Sequence, residues 1–247
     1  MARRDLVYLV VYGLMLAIFN ALWTFAVALA GAAVSTVLVY SSGAFTALLG
    51  RWFLKERLDW TKLVAVALSL GGCVLVSGAS DPAVWRAGAT GTLLGIFTGV
   101  LSGLWYAIYS LMGRSASQRG LNPWTTLFYT FGFAAIFLLL FHLLSNGFWC
   151  GLGDLFWLGD ALLGWGALLL LAAGPTVVGF GLYNVSLAHL PSSVANLILT
   201  LEPAFTAMIA YFLLGERLDG VQFGGSLMIL AGVAFLRLSQ HCLGERL

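Results

Sequence analysis

Glu202 is the one acidic residue set deep within an apolar run of this chain. It lies ten residues into the run 192–214, beside Pro203 and after Asn196 and Thr200. At 1.5 Å rise per residue that is about 15 Å along a helix, near the mid-depth of a bilayer. An acid there costs about 2.5–3.5 kcal/mol on insertion scales, so it must face a cavity or a polar partner. A carboxyl that takes up and releases a proton at that depth is a candidate coupling group. A carboxyl that only hydrogen-bonds a neighbouring helix is a structural pin, and residue type alone leaves both open.

Other residues of the same spans add candidate lining groups. Pro203 and Pro175 lack an N–H and free the carbonyls of Leu199 and Leu171. Such carbonyls bind a substrate or are met by Ser/Thr hydroxyls at a kink. Asn184, Asn196 and Thr200 are neutral polar residues that line a path or bond a neighbouring helix. Trp23, Trp105, Tyr106, Tyr109 and Tyr183 would make an aromatic wall for an amphipathic substrate, with packing or interfacial anchoring as the plainer alternative. Gly91, Gly95, Gly99 and Gly103 recur every four residues, a small-residue stripe that lets another helix approach closely. Packing within the chain is the favoured use of that stripe, and a homodimer seam is the other.

Enzymatic constellations are absent. Gly151-Leu-Gly-Asp154 resembles the GxGD string of intramembrane aspartyl proteases, but no second helix-borne Tyr-Asp faces it. There is no HExxH, GxSxG or Walker A sequence. His142 and His189 stand near helix ends as isolated histidines, and Cys73, Cys150 and Cys242 lack ligand spacing. No metal or cofactor is expected.

These groups must be held by membrane helices. The chain is 61% hydrophobic and 9% charged, far below the roughly 25% charged of soluble domains. Its net charge of +2, without clustered basic residues, gives no footprint for nucleic acid. Eight apolar runs are long enough to span: 7–29, 32–54, 60–78, 91–112, 123–144, 163–189, 192–214 and 221–238. Helices satisfy their own backbone in hydrocarbon, so the expectation is an all-α, eight-helix bundle.

The second half repeats the first. Ala44-Phe-Thr-Ala47 and Glu56-Arg-Leu-Asp59 recur 160 residues later as Ala204-Phe-Thr-Ala207 and Glu216-Arg-Leu-Asp219. The same offset pairs Leu22 with Leu182, Leu70 with Leu230 and Gly72 with Gly232. Asp59 and Asp219 are placed to cap the helix that follows each of them. Glu56 and Glu216 are expected to pair with nearby arginines and fix a hairpin.

Basic residues orient the bundle. With the N-terminus inside, Arg3, Arg4, Arg51, Lys55, Arg57, Lys62, Arg114, Arg119, Arg237 and Arg246 fall in cytoplasmic segments, while Arg86 and Arg217 fall outside. Helices 1–3 match helices 6–8, five spans on, so the two copies point in opposite directions. Arg51, Lys55 and Lys62 accordingly become Tyr211, Gly215 and Gln222 in the second copy. This is the pattern of an inverted-topology repeat.

The copies are unequal. Residues 1–78 hold three spans and 91–238 hold five, joined by an external loop at 79–90 and followed by a cytoplasmic tail at 239–247. By symmetry the first copy lacks its first two spans, through a misassigned start, a fragment, a decayed gene or a true variant.

Leu201-Glu-Pro-Ala-Phe-Thr-Ala, then Leu214-Gly-Glu-Arg-Leu and a glycine-rich closing helix, resembles the EamA-type branch of the drug/metabolite transporter superfamily. Leu104-Trp-Tyr-Ala-Ile-Tyr109 is similar to the opening helix of that family's second unit. The resemblance implies a 5+5 bundle, here 3+5, in the bacterial inner membrane. It also implies transport of a small metabolite, amino acid or drug-like compound, often outward. Two departures are the missing opening helices and Gly43 where the family's first copy has proline. The expected function is secondary-active transport between inverted repeats, with protons as a candidate coupling ion. The alternative is a fragment or subunit needing the missing helices.

Overall fold

The computed structural model describes residues 3–30, 32–54, 59–76, 89–146, 161–202, 205 and 220–242. Among them all regular structure is helical: α1 (Arg3–Ala30), α2 (Ala32–Tyr40), α3 (Ser42–Phe53), α4 (Trp60–Val76), α5 (Ala89–Gln118), α6 (Pro123–Asn146), α7 (Ala161–Leu171), a π-helical segment (Ala172–Gly179), α8 (Phe180–His189), α9 (Ser192–Leu199) and α10 (Gly220–Cys242). Residues 79–88 of the expected loop 79–90, the Gly151–Asp154 string, Cys150, Glu56, Glu216 and Asp219 lie outside the described residues, while Ala89 and Thr90 already belong to α5.

The fold is that of an all-α integral membrane protein. Segments Arg3–Ala30, Leu93–Gln118, Pro123–Leu144 and Gly164–His189 are each long and apolar enough to cross a bilayer, and α4 and α10 carry shorter apolar stretches. Beside an apolar core that includes Leu9, Leu16, Leu187 and Ile229, burial departs from that of a water-soluble protein. Phe128, Leu140 and Leu144 on α6 and Leu169, Leu170 and Leu171 on α7 stand exposed, while Ser35, Thr46, Ser102, Ser110, Asn184 and Asn196 are buried. Lipid solvates apolar side chains, so helices gain little by hiding them; they gain by close packing and interhelical hydrogen bonds.

The helices form two compact units, one of Met1–Ala17 with Met112–His189 and one of Ile18–Leu111 with Leu190–Leu247. In the second unit the repeat is visible in atomic detail. The runs 32–54 and 192–214 read as uninterrupted helices in sequence, but both tighten at the same place. Ser41 N–H bonds Leu38 O at 3.1 Å, and Leu201 N–H bonds Ile198 O at 3.0 Å. The helix then resumes through Phe45 N–H to Ser41 O and Phe205 N–H to Leu201 O, both at 3.1 Å. Each residue in the second set lies 160 positions after its counterpart. Hydroxyls that compete for backbone carbonyls explain the interruption: Ser41 Oγ donates to Leu38 O and Thr200 Oγ1 to Leu197 O, both at 2.6 Å. Turns of this i→i+3 kind inside a span are hinge-like.

Helices α4 and α10 begin 160 residues apart, at Trp60 and Gly220, and pack on each other. A Cβ on Gly72 would stand 2.6 Å from both Gly225 O and Ile229 Cγ1; one on Gly232 would stand 3.0 Å from Ala65 O and 2.9 Å from Ser69 Oγ. Gly225 and Ile229 are the repeat partners of Ala65 and Ser69. The start of α4 therefore meets the far part of α10 and the reverse, so the pair is antiparallel about a local pseudo-twofold. A duplicated and inverted unit requires this geometry. Ala65 and Val66 also pack against Val194 and Leu197 of α9.

In the first unit, the π-helical segment replaces part of the single helix expected over 163–189. Pro175 has no N–H to give, and Thr176 Oγ1 donates to Leu171 O at 3.2 Å. The carbonyl freed by the proline is thus met by a hydroxyl one residue on. Arg114 Nη1 donates to Leu187 O and Ala188 O, at 2.8 and 2.9 Å, and so caps the C-terminal end of α8. Tyr8 Oη donates to Met112 O at 2.6 Å, with the Arg119 guanidinium 4.3 Å from the centre of its ring.

Candidate functional site

Glu202 follows directly on the tightened turn at Thr200 and Leu201. Tyr40, the last residue of α2, donates its phenol hydroxyl to Glu202 Oε2 at 3.1 Å. The Tyr40 ring is 8% exposed and packed against Cys73 of α4 and Ile229 of α10, with Leu70 and Leu201 around them. Glu202 itself is exposed. A buried, rigid phenol thus holds one carboxylate oxygen, and the other can accept a proton or a ligand donor. Under the repeat offset, Tyr40 corresponds to Thr200 and Glu202 to Ser42. The two copies share the turn and differ in its chemistry.

A second polar node joins α5 and α9. Ser110 Oγ lies 3.3 Å from Asn196 Oδ1 and accepts from Asn196 Nδ2 at 3.1 Å. Ser193, Asn196 and Thr200 are all buried, at positions that share one face of α9. One turn back on α5, Tyr106 stacks on Tyr109 at 5.8 Å between ring centroids and meets Phe19 of α1 at 4.9 Å. Trp105 Nε1 is buried without an acceptor among the described residues. Trp23 is partly exposed at 37%.

Tyr183 and Asn184 are both buried on α8, in the other compact unit. There Tyr12 Oη lies 3.4 Å from Asn184 Oδ1, and Asn184 Nδ2 donates to Phe180 O at 2.9 Å. Pro203 lies outside the described residues, as does the side-chain environment of Gly91. The other three stripe glycines line a close approach of α5 to α1 and α2. A Cβ at Gly95 would stand 2.7 Å from Ala30 Cβ, at Gly99 2.6 Å from Leu38 Cδ1, and at Gly103 2.5 Å from Ser41 Oγ.

Three partners escaped the sequence reading: Tyr40, Ser110 and Tyr12. Each is a hydroxyl-bearing residue in an apolar run, a composition signal that marks a polar contact without saying with whom. Only the repeat offers more, since Tyr40 stands four residues before the duplicated Ala44-Phe-Thr-Ala47 string.

The sequence model of the EamA-like transporter family matches residues 2–78 and 93–238. An uncharacterized transporter of Archaeoglobus fulgidus is 29% identical over 178 residues, covering 72% of this chain and 57% of that protein. An uncharacterized transporter of Bacillus subtilis is 28% identical over 191 residues, covering 76% of this chain and 55% of that protein. The chain thus spans little more than half the length of these two relatives. A solved crystal structure superposes with a TM-score of 0.78 at 16% identity, covering 98% of this chain and 79% of that one. At that identity the likeness concerns the fold alone.

Proposed function

Because the chain belongs to the EamA-like transporter family, we propose that it is a secondary-active carrier of a small metabolite, amino acid or drug-like compound, working by alternating access between its inverted repeats. The repeats are 1–78 and 91–238, the chain sits in a bacterial inner membrane with both termini cytoplasmic, and net movement is outward. Glu202 is the proton-coupling group. Asn184, Asn196, Thr200, Tyr183, Trp23, Trp105, Tyr106, Tyr109 and the backbone around Pro203 contribute to the substrate path.

One observation carries this reading. The acid in the second copy's broken span is held by a phenol from the first copy's broken span, at equivalent tightened turns. Alternating access needs elements with two arrangements, and span interruptions that line a polar site supply them. A carboxyl at that junction links protonation to the state of both breaks.

The test is flux in proteoliposomes under an imposed pH gradient, read by a pH-sensitive dye in the lumen while a compound panel is applied. The wild-type chain moves protons only with a substrate, and Glu202→Gln abolishes gradient-driven flux while inserting normally. Unchanged flux in Glu202→Gln rejects proton coupling through this residue. A second reading rests on length, since the chain spans 57% and 55% of the two relatives: transport requires further spans. Flux that appears only when such spans are co-expressed supports it, and flux by this chain alone removes it.

A further inference from the structure

We propose that Tyr40 is a positioning residue for Glu202, fixing its carboxyl against the first copy's break so that the two tightened turns change together. The proposal rests on the reading of Glu202 as the working acid, but its geometry stands separately. Tyr40 ends α2 one residue before the turn at Ser41; Glu202 begins one residue after the turn at Leu201. Their 3.1 Å hydrogen bond joins residues 162 apart in sequence, so it ties two interruptions that have no covalent reason to move in concert.

The asymmetry in burial sets the direction of control. Tyr40 is buried in a cluster with Cys73 and Ile229, against which Leu38, Leu70 and Leu201 pack, whereas Glu202 is exposed. A long, rotatable carboxylate reaching outward loses side-chain freedom when held, and a phenol with two rotatable bonds loses little. The rigid partner therefore selects the rotamer of the flexible one. The titratable groups recorded around the contact are Tyr40 from α2, Cys73 from α4 and Glu202 itself; α10 contributes the apolar Ile229. The repeat partner of Tyr40 is Thr200, whose hydroxyl donates to Leu197 O, so among the described residues this position of the second copy carries no equivalent arm. Positioning by a phenol is thus one-sided among the described residues.

The experiment uses the full chain in nanodiscs and a hydrophobic carbodiimide, which adds to a protonated carboxyl and is located by peptide mass spectrometry. Tyr40→Phe removes one oxygen and keeps the ring. It should raise the initial labelling rate at Glu202 by roughly two- to tenfold, the scale of one net hydrogen bond. Wild-type labelling rate in a Tyr40→Phe chain of wild-type melting temperature overturns the proposal. A second measurement needs no Tyr40 variant. In samples acidified until the carboxyl is protonated, the infrared carboxyl band that disappears in Glu202→Gln should lie where a hydrogen-bonded carboxyl absorbs, and a band at the free-carboxyl position overturns the proposal as well. Neither readout requires flux. Failed coupling in the proteoliposome assay with accelerated labelling in Tyr40→Phe therefore rejects the transport role of Glu202 while upholding its positioning.

Discussion

Gly72 and Gly232 are one position met twice: each lies against the repeat partners of the residues that face the other. Gly72 meets Gly225 and Ile229, Gly232 meets Ala65 and Ser69, and the two sets are 160 residues apart. An inverted duplicate brings α4 and α10 together in this reciprocal way. The contact is tight in both directions because the closest neighbours include backbone oxygens, which cannot swing aside as side chains do.

Alanine at Gly72 or at Gly232 should therefore lower stability by about 1–3 kcal/mol, the usual cost of overpacking. Gly43 is the contrast: a Cβ there meets nothing within 4 Å, and its helical position gains up to about 1 kcal/mol from alanine. Thermal unfolding in one detergent, followed by tryptophan fluorescence, ranks the three. Equal melting temperatures for Gly72→Ala and Gly43→Ala would mean that α4 and α10 do not pack as described.

The Ser110–Asn196 node invites a double-mutant cycle. Ser110→Ala and Asn196→Ala each remove one side of a buried, reciprocal contact between α5 and α9. Interhelical hydrogen bonds within membranes average about 0.6 kcal/mol and reach about 1.7 kcal/mol. The expected coupling energy is of that size, with the second substitution costing less once the first is made. Strict additivity would show that the two side chains do not work as a pair.

How much of this was legible in the residues follows from which forces are local. The bilayer imposes hydropathy on every span, so runs such as 123–144 and 163–189 announce themselves, and α6 occupies 123–146. Duplication wrote the offset of 160 into the Ala-Phe-Thr-Ala strings, which is why the inversion could be argued from loop charges. Pairings between distant hydroxyls are not written locally. Tyr40 and Glu202 meet across 162 residues, and no period in the sequence encodes the partner. The interruptions at Ser41 and Thr200 were hidden because apolar neighbours keep the hydropathy high while a single hydroxyl redirects the backbone. Pro175 signalled a lost donor, but not that the backbone would widen into a π-helical segment with Thr176 answering Leu171.

Arg114 should prove a cap for α8 rather than a surface charge. Its Nη1 gives hydrogen bonds to two carbonyls at the end of that helix, and charged donors of this kind are worth roughly 1.5–3 kcal/mol. Arg114→Ala is expected to lose about that much and to speed amide hydrogen exchange in the last turn of α8. Arg114→Lys keeps a cationic donor and should recover part of it. Exchange at Leu187 and Ala188 that is unaltered in Arg114→Ala would contradict the capping role.

The orientation of the bundle can be read from two loops that are repeat partners. Positions 56 and 216 correspond at the 160-residue offset, and inversion puts them on opposite faces of the membrane. In a chain whose three cysteines are replaced by alanine, a single cysteine at 56 should react with an impermeant maleimide only after the cytoplasmic face is exposed. One at 216 should react in intact cells. The reason is the distribution of positive charge: Lys55 and Lys62 flank the first position, while Gly215 and Gln222 flank the second. Labelling of both from the same face would remove the inversion and, with it, the transport cycle built on two opposed copies. Reversed sides for both would keep the inversion and overturn only the cytoplasmic assignment of the termini.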